Sequence, residues 1–210
     1  LAAIPGAMSR GLARELCKRI AAAPCLLGVH QHGSTHLNHE SEGRKCEFGA
    51  SRSAAQQRED LARGQAQLGE HFGELLLPVF TPPWNRCTDD TAALLAELRF
   101  AALSRDRGAK PQQHRLQEIA VDIDWSKHLH DGGAFVLAAA LARALRDRAA
   151  DGQPLGLMLH HAVMNGEEML LLTDLLEALT SHPQVRWRAM RDLLIPTETT
   201  KGPTSCIASA

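Results

Sequence analysis

Short apolar runs alternate with stretches of helical period about six times along this chain, and that alternation limits its possible folds more than any other feature. Apolar runs at 1–4, 25–29, 77–81, 100–104 and 155–159 read as strands, as does the alternating segment 118–124, with a last short strand at 185–188. Between them, Ser9 caps a helix whose Leu12, Leu16 and Ile20 form one stripe, and Pro24 ends it. A second helix spans 53–72 with Leu61, Leu68 and Phe72 on one face. Gly64 and Gly69 are its weak points, at ~1 kcal/mol each relative to alanine. Further helices begin at Asp89 or Asp90, run over 134–149 until Asp151-Gly152 and Pro154 interrupt them, and cover 167–179. The segments 105–117 and 125–133 carry no periodicity and read as loops. Strands separated by helices pair in parallel, so the expected class is α/β, a parallel sheet or barrel. With no linker-like stretch in 210 residues, the expectation is one domain over 1–194. It is followed by a Thr/Ser/Gly/Pro-rich tail, 195–210, that reads as disordered.

In parallel α/β folds ligands bind beyond the carboxyl ends of the strands. Five polar clusters stand at such ends: residues 30–39, 82–86, Ser104-Arg105, 122–125 and His160-His161. The first holds His30, His32, His36 and His39, four of the eleven histidines within ten residues. Imidazole is a common ligand for borderline metals and needs a rigid backbone to aim it. His32 and His36 are four apart and share a face of a helical turn; His30 and His32 share one only if the strand continues past Val29. His32 and His36 are the first candidates, although a cluster of solvated loop histidines fits the same spacing.

Composition excludes several roles. The formal net charge is −1, and Arg143, Arg146 and Arg148 are interleaved with an acid and apolar positions, so neither nucleic acid nor an anionic membrane is an expected partner. Cys17, Cys25, Cys46, Cys87 and Cys206 are odd in number, scattered and without a CxxC pair, which reads as a reducing compartment with any bridge left open. No run approaches the ~20 apolar residues of a membrane span. No secretory signal opens the chain. The expected location is cytoplasmic, with export left open because Leu1 reads as the middle of a strand already under way. Aromatic residues are 4% of the chain and tyrosine is absent, so a small or oligomeric substrate suits it better than a long stacking platform.

Four segments in order carry a family likeness: His32-Gly33-Ser34-Thr35-His36, then Phe80-Thr81-Pro82-Pro83-Trp84-Asn85-Arg86, then Val121-Asp122-Ile123-Asp124-Trp125, then Leu157-Met158-Leu159-His160-His161. Together they resemble polysaccharide deacetylases of the NodB-homology type, over roughly residues 1–194. The resemblance implies a distorted (β/α) barrel of the glycoside hydrolase/deacetylase type. It also implies a divalent metal, usually zinc, that activates water and polarises an amide carbonyl. His32 and His36 match its metal-binding histidines, and His160 matches the general acid toward the leaving amine. His161 stands where many members have an aspartate, so its role stays open. Pro83, Trp84 and Asn85 match the loop that lines the acetyl pocket and offers an oxyanion-stabilising backbone N–H, which Pro82-Pro83 would hold rigid. Arg86 could orient a carboxylate or pair with Asp89 or Asp90 on the surface. Asp122, Asp124 and Trp125 match supporting positions, and core packing explains Trp125 equally well.

One departure from the family pattern matters. The acidic pair that supplies the family's base and third metal ligand belongs on a first strand, and none precedes Ile4. The sequence therefore reads as a barrel lacking its first strand, either a piece of a longer protein or a degenerate relative. The expected activity is a metal-dependent hydrolase removing acetyl groups from an N- or O-acetylated sugar. The alternatives are a non-catalytic carbohydrate- or metabolite-binding relative, or another carbon–nitrogen hydrolase on the same scaffold.

Overall fold

A computed structural model describes residues 1–110, 112 and 114–195; the tail expected to be disordered lies outside them from residue 196 onward. The chain divides into two compact units, one formed by Leu1–Ile119 with the segment from Ala189, the other by Ala120–Arg188.

The first unit alternates β1 (Ala2–Ala3), α1 (Arg10–Ala22), β2 (Val29–His32), α2 (Ala54–Phe72), β3 (Leu76–Thr81), α3 (Asp89–Glu97), β4 (Ala102–Asp106) and β5 (Gln117–Val121), whose last two residues enter the second unit. The strands form one sheet in the order β1-β2-β3-β4-β5. The pairs β1/β2, β2/β3 and β3/β4 are parallel. Helix starts follow the capping residues: Ser9, Ser53 and Thr88 each accept the backbone N–H of the third residue of the helix they open. Val29 packs with Ile20, Leu68 and Phe72 beneath α1 and α2. Phe48, Leu61, Phe80, Leu95 and Leu103 build a second cluster on the α2/α3 side.

Two strands lie later in the chain than the apolar runs suggest. Residues 25–28 are not strand: the Leu26 and Leu27 N–H groups bond back to the Ala23 carbonyl, both at 3.0 Å, and close the end of α1. The strand continues instead through His30, Gln31 and His32. Phe100 likewise belongs to the end of α3. Its N–H reaches the Leu95 carbonyl at 2.9 Å across Arg99 at φ 63, a left-handed helix stop, and β4 starts only at Ala102. The expected loop 105–117 loses both ends to β4 and β5.

The second unit holds β6 (Ile123–Asp124), α4 (Trp125–Asp151), β7 (Leu157–Met158) and α5 (Gly166–Ser181), with β6 and β7 parallel. Three expectations are corrected here. The strand foreseen over 118–124 breaks at Asp122, whose N–H and carboxylate both turn to Gly156, at 2.8 and 2.9 Å. The loop foreseen over 125–133 is helical, because Asp124 caps it through Lys127 N at 3.1 Å; the helix then kinks at Gly133, φ 73. The strand foreseen at 185–188 is absent. Arg186 and Trp187 are held by local side-chain bonds to Pro183, Val185 and Thr180. Ile123, Trp125, Leu137, Leu141 and Leu172 form the core of this unit.

The fold is thus α/β with a parallel sheet. Cys17, Cys46 and Cys87 are free thiols. No helix among the described residues is long and apolar enough to cross a membrane.

Candidate functional site

Because β2, β3 and β4 are parallel, their carboxyl ends open on the same edge of the sheet, and the segments at 32–36, 82–86 and 105–106 leave from it. Strand alternation sorts the histidines. Val29 and Gln31 face α1 and α2, Gln31 donating to the Leu61 carbonyl at 3.3 Å, while His30 and His32 take the opposite face. His30 is buried with Nε2 2.9 Å from Thr81 Oγ1, and its Nδ1 is buried without a hydrogen-bond partner among the described residues. His32 Nδ1 donates to the Thr81 carbonyl at 2.9 Å. A carbonyl can only accept, so the His32 ring carries a proton on Nδ1.

His36 stands beside it. The His32 and His36 rings are 5.0 Å apart between centroids, and His36 lies 4.6 Å from Trp84 of the next strand end. Four non-glycine residues of the described chain have positive φ, and three are here: His36 (60°), Trp84 (54°) and Asn85 (58°). Such conformations cost on the order of 1–3 kcal/mol each and persist where surrounding contacts over-determine them. In the 82–86 loop those contacts are a tight turn after buried Pro82 and Pro83: Asn85 N–H donates to the Pro82 carbonyl at 3.0 Å and Arg86 N–H to the Pro83 carbonyl at 3.3 Å. The Asn85 amide is therefore spent within the turn. Arg86 pairs with neither Asp89 nor Asp90 in the described contacts; it donates to the Lys45 carbonyl at 2.9 Å.

The residue that sequence reading missed is Glu47. Its carboxylate, fully buried, accepts Ser34 N at 3.2 Å, Thr35 N at 2.8 Å, Thr35 Oγ1 at 3.1 Å and His36 N at 3.1 Å. Three successive N–H groups converge on one anion, and this fixes His36 in its left-handed conformation. Gly33, φ 61, is part of the same device: a β-carbon there would lie 2.1 Å from Glu47 Oε2 and 2.6 Å from Pro83 Cγ. Nothing local marks Glu47, which stands eleven residues beyond His36. The cue was indirect: an acid inside the apolar run Cys46 to Phe48. The intervening chain is ordered by Asn38, whose Oδ1 accepts Glu40 N and Cys46 N, and by Glu40 on Ser51. His39 is exposed and uses its backbone N–H on the Cys46 carbonyl.

At the end of β4, Arg105 is committed inward. It forms a two-pronged bond to Glu118, at 3.1 and 2.5 Å, and His114 Nε2 lies 3.0 Å from the same carboxylate. Burial works to raise the Glu118 carboxyl, but the Arg105 bonds and His114 outweigh it and hold it below the usual range. Burial also pushes the Cys87 thiol up to about 12 and raises Cys46. Neither cysteine beside this edge is a thiolate nucleophile at neutral pH.

The remaining candidates belong to the second unit. Asp122 accepts Gly156 N and lies 3.6 Å from Arg148 Nε, which makes it part of the unit's framework. Trp125 is fully buried in the core, as the packing reading foresaw. Asp124 caps α4 and lies 3.3 Å from His160 Nε2, so a carboxylate orients a half-exposed imidazole. His161 is exposed.

Among the described residues no group of three or more His, Cys, Asp or Glu side chains gathers in a metal-holding arrangement. His32 and His36 supply two imidazoles, one short of the three protein ligands of a catalytic zinc, so the described residues do not by themselves fit that ion.

No protein-family model matches the sequence, and no curated protein matches it. Among solved structures the fold does have a counterpart. The chain is similar to a crystal structure from Mycobacterium smegmatis described provisionally as a polysaccharide deacetylase, with a TM-score of 0.57 and 16% identity over 93% of this chain and 73% of that one. At that identity the likeness is one of fold.

Proposed function

We propose that the chain is a deacetylase-like hydrolase that removes acetyl groups from an N- or O-acetylated sugar on a distorted (β/α) barrel scaffold. The observation that carries this reading is the meeting of His32, His36 and Trp84 from two adjacent strand ends, locked by Thr81 and Glu47. The likeness to a deacetylase fold supports it. In this reading His32 and His36 would be the residues to hold a divalent metal, which would supply an activated water. The Trp84 N–H faces the acetyl oxygen, and Pro83 and Trp84 wall the acetyl group.

Acetate release from N-acetylglucosamine oligomers, measured with added zinc alongside the zinc content of the protein, tests the proposal. His32→Ala and His36→Ala should each lower release by ~100-fold or more and lower bound zinc, by the size of effect that loss of a central catalytic group has. Unchanged release and zinc content in both variants would remove the basis of the reading.

A second reading rests on the two-donor set: a relative that keeps the pocket for a carbohydrate or small metabolite and has lost the chemistry. Sugar binding by calorimetry that persists without zinc, with no acetate released, selects it. Absence of both binding and release rejects it too.

A further inference from the structure

Among the described residues the second unit exposes Phe135 and Val136 on α4 and Met169, Leu170 and Leu171 on α5. Beyond the kink at Gly133, α4 buries Leu137 and Leu141. At 100° per residue the opposite face carries Phe135, Ala139, Ala142 and Arg146, with Arg143 at its flank, and all five are exposed. Phe135 is 84% exposed. On α5, Glu168 and Leu172 are buried, and the opposite face carries Glu167, Leu170, Asp174 and Glu177. Leu170 is 68% exposed.

The two stripes complement each other. That of α4 bears two arginines and its only nearby acid, Asp147, stands at the edge; that of α5 bears three acids and no base. Each has its large apolar side chain in its amino-terminal part. With ~1.5 Å of rise per residue, Arg143 sits ~12 Å beyond Phe135 and Glu177 ~10 Å beyond Leu170. When the helices run parallel with Phe135 set on Leu170, Arg143 therefore meets Glu177.

We propose that the exposed faces of α4 and α5 form a self-complementary surface through which two copies of this chain associate. The occupant is a second copy because the basic face of α4 and the acidic face of α5 stand on the same molecule, each supplying the charge that the other lacks. Exposed patches of this kind mark interaction surfaces in stable proteins, and opposed charge fixes their register.

Sedimentation velocity of the full chain over a concentration series tests the proposal. The expected result is a monomer–dimer equilibrium that weakens as salt rises from about 0.05 to about 0.5 M, as screening requires. Phe135→Ser, or the milder Leu170→Ala should Phe135→Ser fail to fold by circular dichroism, should weaken association at least tenfold. Arg143→Glu with Arg146→Glu should weaken it similarly, and adding Asp174→Arg with Glu177→Arg should restore it. A chain that stays monomeric throughout, or a dimer indifferent to these changes and not restored by the swap, overturns the proposal and assigns the faces to another occupant.

Discussion

His30 shows what burial does to a single titratable group. Burial first, then the positive amino terminus of Leu1 and the neighbouring His32, lower its pKa to about 3 from the ordinary 6.5. An unfolded chain protonates this imidazole below 6.5, whereas the folded one resists until about 3. The stability His30 allows is therefore whole above pH 6.5 and falls as pH drops toward 3, by up to about tenfold per pH unit in the folding equilibrium. Urea unfolding followed from pH 7 to 4 with a chelator present should show this loss in the native chain and a shallower one in His30→Asn; parallel curves would mean that His30 is not the group responsible. Spacing alone could not reveal this state. It depends on β2 continuing past Val29, and on Thr81, fifty-one residues on, standing opposite. Glu47 was illegible for a related reason: its role lies in four bonds to a loop eleven to thirteen residues away, and no periodicity encodes them.

At the scale of elements, helices were legible where a capping side chain opens them, since Ser9, Ser53 and Thr88 state their function locally. Strand ends were less legible, because the apolar residues at 25–28 and Phe100 close helices rather than enter the sheet. The segment 125–133 misled through its His, Asp and Gly content, although Asp124 is itself a cap. The site loops depend on these exits, and the 33–36 turn is the most tightly specified of them. Gly33→Ala should cost more than ~2 kcal/mol in urea unfolding, since a left-handed alanine is itself unfavourable by roughly 1–2 kcal/mol and the added methyl meets Glu47 and Pro83. A loss within ~0.5 kcal/mol, the range of ordinary surface substitutions, would show that Glu47 does not clamp this loop.

At the scale of the molecule, the first unit is closed by chain that returns to it after the second. A turn at Met190–Leu193 brings Met190, Leu193 and Leu194 against Leu77, Val79, Ala102 and Ile119. Gln117 fastens it twice, donating to the Leu193 carbonyl at 2.5 Å and accepting Ile195 N at 2.9 Å, while Arg191 reaches the Leu27 carbonyl at 2.9 Å. The outer face of β3 and β4 thus draws part of its cover from residues more than eighty positions downstream, which alternation of strands and helices cannot foretell. If this return segment stabilises the sheet, Leu193→Ala should cost about 2 kcal/mol, the lower range for an aliphatic truncation, because Leu193 is only partly buried. Ile119→Ala should cost a comparable amount. The double variant should lose less than the sum, since each single change already removes the shared contact, and a coupling of at least ~0.5 kcal/mol is expected for residues in one packed cluster. Strict additivity in that cycle, read by urea unfolding, would mean that the segment lies on the sheet without supporting it.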